Sequence, residues 1–133
     1  MNEKTIRGKE VHLMNKKTIR GMYYNPGESF KEITFPYDLK AMQDLVGGYI
    51  EQVTLHKNIV AICDEEWHLK HRADEHVPTL VFETFYPRPV LYVSLYGPVL
   101  IAATEGEELR SLTADELAWV HMYVKCHERR SEV

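Results

Sequence analysis

The chain has 133 residues, of which 44% are hydrophobic and 27% charged, and its net charge is −4. That size suits one domain whose core stands without disulfides or metal, and the acidic balance gives no general pull toward extended nucleic acid or an anionic membrane. No run approaches the ~18 apolar residues of a membrane span and the N-terminus carries no apolar signal core, so a cytoplasmic location and no membrane partner are expected.

Residues 1–13 read as an N-terminal extension. Lys4-Thr-Ile-Arg-Gly8 recurs as Lys17-Thr-Ile-Arg-Gly21, an offset too short for a structural repeat. Lys9-Glu10-Val11 can be encoded by AAGGAGGT, a ribosome-binding sequence just upstream of Met14. Two readings stand: a flexible arm, or natural initiation at Met14. A single domain is expected over 14–133.

Thr18 to Tyr24, β-branched and aromatic, reads as a strand. Asn25-Pro26-Gly27-Glu28 reads as a turn, since proline presets one φ and glycine accepts a positive one. Phe30 to Phe35 returns as the second strand of a hairpin. Asp38 can cap the amides of a following helix, on which Leu39, Met42, Leu45 and Val46 form one apolar face. Gly47-Gly48 stops that helix. Tyr49 to Leu55 is a strand with Tyr49, Glu51 and Val53 on one face. After His56-Lys57-Asn58, the continuous apolar run Ile59 to Cys63 reads as a central strand and completes a second hairpin.

Asp64 to Pro78 is polar and reads as a long loop with a possible helical turn. Thr79 to Phe85 is a strand, interrupted by Pro87-Arg88-Pro89 because proline lacks the ladder donor. Val90 to Leu95 and Pro98 to Ala103 are strands separated by Tyr96-Gly97, and Glu105 to Leu109 is a turn. Thr113-Ala-Asp-Glu116 is a capping box, opening a helix expected to run to about His127, with Arg129-Arg130 at its negative pole. The balance is α+β: a mostly antiparallel sheet built from hairpins, with one short helix and one C-terminal helix packed on one face.

Leu45-Val-Gly-Gly-Tyr-Ile-Glu51 resembles the core of the family catalogued as domain of unknown function 3846. Other pieces follow in the family's order: the Tyr24-Asn-Pro-Gly-Glu28 turn before it, an apolar strand into Cys63-Asp64-Glu65-Glu66 after it, then Gly97-Pro98-Val-Leu-Ile101 and Ser111-Leu-Thr113. The resemblance spans about Thr18 to Tyr123. Relatives often carry an asparagine where Asp64 stands, and Trp67 to His76 departs from their pattern. The resemblance implies a small protein of phage, plasmid or mobile-element origin, and no settled activity comes with it.

Several constellations carry chemistry. His68, His71 and His76 form the only His-rich cluster, but their spacing fits no strong zinc motif. Glu51 and the run Asp64-Glu65-Glu66 could supply paired carboxylates if the hairpin register brings them together. Cys126-His127 with His121 is a poor thiol pair, because adjacent helical residues point apart. The two cysteines, Cys63 and Cys126, are expected to be free thiols. No phosphate-binding glycine loop, Gly-x-Ser-x-Gly or His-Glu-x-x-His is present.

Eight tyrosines and two tryptophans are a surplus in so small a chain, and their polar tips need partners when buried. Tyr23, Tyr24, Tyr49, Trp67, Tyr86, Arg88, Tyr92 and Tyr96 form an aromatic and basic set able to stack on bases and grip phosphate. Tyr24, Tyr49, Glu51, Trp67, Arg88 and Tyr96 are the residues expected to meet a ligand.

The leading expectation is therefore a non-enzymatic binding protein without a cofactor. It would act against host defence by sequestering a nucleotide immune signal at a homo-oligomer interface. A module binding a host protein is the second reading. A metal-dependent hydrolase using the histidine loop or Glu51 is the third.

Overall fold

The structure, a computed structural model, describes residues 17–71, 78–84 and 90–126. The proposed start at Met14 and the Pro87-Arg88-Pro89 interruption lie outside them.

Local signals set the first elements. β1 (Thr18–Tyr24) and β2 (Lys31–Pro36) pair antiparallel about a turn in which Glu28 N donates to Asn25 O at 2.9 Å. α1 (Leu39–Val46) begins where Asp38 Oδ2 accepts from Ala41 N at 3.2 Å, and ends at Gly47, whose φ of 90° is left-handed. β3 (Ile50–His56) and β4 (Ile59–Asp64) form the second hairpin. α2 (Trp67–Lys70) is a single turn.

β5 (Leu80–Thr84), β6 (Val90–Leu95), β7 (Val99–Glu105) and β8 (Glu108–Arg110) follow. α3 (Ala114–Tyr123) then leads into β9 (Val124–Cys126).

Among the described residues the strands make two sheets, and every pairing is antiparallel. The larger runs β2-β1-β7-β4-β3, with β8 also on β7, and the smaller runs β6-β5-β9. The α+β class holds. β4 is buried along its whole length because it lies between β3 and β7 with both faces covered, as its unbroken apolar run requires. Met42 and Val46 of α1 join Ile19, Phe35, Val60, Ile62, Leu100 and Ala102 on one face. On the opposite face Ala61, Cys63, Val99 and Ile101 pack against Leu80 and Leu95 of the second sheet and Val120 of α3.

Four expectations are corrected. The helices cover opposite faces of the large sheet, because two doubly buried strands need a layer on each side. The last helix stops at Tyr123, where the chain straightens and pairs Val124 with Phe82 and Cys126 with Leu80. Within Glu105 to Leu109 the turn is only Gly106-Glu107, and β8 pairs back on β7. Leu39, expected on the buried face of α1, is 56% exposed.

Candidate ligand-binding site

A bulge in the β3–β4 hairpin builds the site. His56 pairs with Ile59, and an unbroken ladder from there would set Glu51 opposite Asp64. The register shifts by one residue between Thr54 and His56, so Glu51 faces Cys63 and Ile50 faces Asp64. Glu51 therefore shares a face with Cys63, on the side of the second sheet.

Asp64 is held rigidly. Its side chain is 2% exposed, with Oδ2 2.8 Å from Lys70 Nζ, and Oδ1 accepts from Glu66 N at 2.9 Å. Lys70 Nζ also donates to Gly47 O at 3.1 Å, at the negative end of α1. Gly48 leaves room for this latch: a Cβ there would lie 2.5 Å from Lys70 Nζ and 2.8 Å from Asp64 Oδ1. The latch ties α2 to the stop of α1, so the Gly47-Gly48 pair is structural.

α2 in turn places Trp67. The β6–β7 crossing between the sheets passes beneath its indole, where a Cβ on Gly97 would come within 2.5 Å of Trp67 Cε3. Gly97 also has a φ of 75°. Thr79 pins the crossing by donating from Oγ1 to Gly97 O at 2.6 Å and from N to Leu95 O at 2.8 Å. His71 stacks on Trp67 with ring centroids 3.5 Å apart. Trp67 Nε1 is buried and, among the described residues, has no hydrogen-bond partner. An orphaned donor of this kind costs about 1–3 kcal/mol.

Between the hairpin, α2 and the crossing lies a cleft of about 190 Å³, lined by Glu51, Asp64, Glu65, Trp67, Ser94 and Tyr96 among others. A more open hollow of about 370 Å³ adjoins it, lined by Tyr49, Asp44, Gly48, Glu66 and Lys70. The Asp64–Lys70 pair stands between the two.

The expected ligand residues are thus divided. Glu51, Trp67 and Tyr96 line the smaller cleft together with Asp64 and Glu65 of the acidic run, whereas Glu66 lines the hollow. Tyr49, 65% exposed, lines the neighbouring hollow. Tyr24 does not join them: alternation along β1 turns it into the core, 2% exposed and edge-on to Phe30. Tyr23 is structural too, donating from its hydroxyl to Leu45 O at 2.6 Å, and burial raises its pKa. Tyr92 falls on β6. Tyr86 and Arg88 lie outside the described residues.

Of the histidine cluster, His68 falls on α2 and His71 is committed to Trp67, with Nδ1 2.9 Å from its carbonyl oxygen. His76 lies outside the described residues. Among those described, no group of three or more His, Cys, Asp and Glu side chains is placed to hold a metal ion. Burial, with Glu51 and Asp64 beside it, pushes the Cys63 thiol up to about 12, and burial pushes Cys126 to about 12. Neither is a ready nucleophile near neutrality. His127 lies outside the described residues, and His121 is exposed.

Cys63, Ser94 and Lys70 were not expected at this site. Counting the hairpin register reaches Cys63 only if the bulge is known, and Ser94 arrives on the other sheet.

The family model described as Domain of unknown function (DUF3846) matches residues 19–125, and the chain belongs to that family. No curated protein and no solved structure matches it. No helix among the described residues is long and apolar enough to cross a membrane.

Proposed function

We propose that this member of a family of unknown function acts by binding: it captures a nucleotide through its base in the Glu51–Trp67–Tyr96 cleft. The observation that carries the reading is the convergence of these three side chains, from a strand, a helical turn and a sheet crossing, on one cleft. At about 190 Å³ the cleft is smaller than the ~300–1,000 Å³ of sites for whole drug-sized ligands. It suits one base, with the rest of the nucleotide held outside, against a second copy of the chain.

Charge refines the ligand. Glu51 and Glu65 oppose phosphate by roughly 0.5 kcal/mol per charge pair at ~8 Å in water. Diester-linked nucleotides, with one charge per phosphate, are therefore favoured over triphosphates. This is the chemistry of cyclic oligonucleotide signals, and a protein of phage or mobile-element origin that sequestered one would blunt host defence. Calorimetry with cyclic and linear oligonucleotides tests the reading. Saturable binding supports it, whereas absence of heat with every one removes it.

A second reading rests on the same carboxylates. An arginine or lysine side chain of a host protein is a cation that an acidic, aromatic-walled cleft also accepts. Capture of a host protein that is lost with Glu51→Lys would favour this partner module over a nucleotide sponge.

A further inference from the structure

We infer that the base held in this cleft is guanine, an inference that rests on the nucleotide reading above. The donors of guanine match the acceptor that the cleft presents. An ionised carboxylate only accepts hydrogen bonds, and Glu51 brings one to the cleft wall. Guanine alone among the four common bases presents two adjacent donors, N1–H and the 2-amino group, on its pairing edge. Adenine and cytosine each set one amino donor beside an acceptor, which faces a carboxylate lone pair against lone pair. Uracil has a single imino donor flanked by two carbonyls.

Trp67 supplies the second half of the match. It lines the cleft, and its Nε1 donor lacks a partner among the described residues. Guanine carries the acceptor O6 directly beside N1–H, so a base whose donors meet Glu51 also brings an acceptor into the cleft, which the indole meets by turning its buried Nε1 edge outward. Asp64 does not compete for the base, because Lys70 and Glu66 N already occupy its oxygens. Tyr96 provides a ring beside which the base plane can lie.

The test is calorimetry on the full chain with the 3′,5′-cyclic monophosphates of guanosine, inosine, adenosine, cytidine and uridine, diesters with one charge each, with N-acetyl-arginine amide as a control. The guanosine cyclic monophosphate is expected to bind at least about tenfold tighter than the other four, since tenfold follows from one lost charge-assisted hydrogen bond. Inosine, which lacks only the 2-amino group, isolates that contact. Glu51→Gln, at an exposed position, should keep the thermal midpoint and erase the guanine preference. Equal binding of all bases, or a preference that survives Glu51→Gln, overturns the guanine assignment and leaves nucleotide binding standing. No binding of any nucleotide overturns both, as does tighter binding of the arginine control.

Discussion

Cys63 shows how one side chain reports its surroundings. It sits opposite Glu51, its Sγ 3.8 Å from Glu51 O, and burial followed by two nearby carboxylates lifts its pKa from 9.0 to about 12. Cys126 is lifted to about 12 by burial. At pH 8 only about one thiol in 10⁴ is then ionised. Both cysteines should therefore resist a disulfide reagent such as Ellman's in the native protein and react together once urea unfolds it. Prompt reaction of either in the native state would contradict this placement. The sign of the linkage also follows. A thiol whose folded pKa is raised contributes stability that is intact below its unfolded value and lost as pH climbs through the folded one. Stability should thus fall between about pH 9 and 12, with Tyr23, also raised by burial, adding to the loss. The double variant Cys63→Ala, Cys126→Ala should start less stable but show a shallower alkaline decline in its urea midpoint.

Elements whose signals are local were legible in the sequence. α3 is the clearest: Glu116 N donates to Thr113 Oγ1 at 3.1 Å, and Thr113 N donates to Glu116 Oε1 at 2.9 Å. Arg110, the last residue of β8, adds a two-pronged grip on Glu116 at 2.8 and 3.0 Å. Thr113→Ala should cost about 1 kcal/mol, read from chemical denaturation. Arg110, then Thr113, holds the Glu116 carboxyl below its usual 4.5. That stability is present above about pH 4.5 and lost as pH falls through the folded value, so Glu116→Gln should flatten the acid limb of a stability curve. The Asp38 cap, the Gly47 stop and the Asn-Pro-Gly turn were readable for the same reason, since each needs only three or four neighbouring residues. β8 and β9 were not. Val124-Lys125-Cys126 continues a helical pattern, and only the open edge of β5, more than forty residues away in sequence, draws it into a strand. The cleft divides likewise. Glu51 and the acidic run were foreseeable from one hairpin, but Ser94 and the shelter of Trp67 over Gly97 depend on two sheets meeting.

At the scale of the molecule, β4 and β7 belong to both cores. Leu100 and Ile101 are neighbours on β7, both fully buried, and alternation sends one toward α1 and the other toward the second sheet and α3. The strands of the larger sheet send side chains into both cores, as β1 does with Ile19 and Met22, so neither layer can loosen while the other keeps its support. Leu100→Ala and Ile101→Ala should therefore each cost about 2–5 kcal/mol, although they open cavities on opposite faces. More tellingly, each should shift one common transition. In urea, far-ultraviolet circular dichroism reports the sheets, and tryptophan fluorescence reports Trp67 and Trp119, which lie on the second-sheet side. The two probes should give the same midpoint for the parent and for both variants, as a two-state domain requires. Should Ile101→Ala lower the fluorescence midpoint alone, the second sheet and α3 would be a separable unit docked on a self-sufficient larger sheet. The cleft lies at the junction of those layers, so that outcome would also mean that it can open while the larger sheet stays folded.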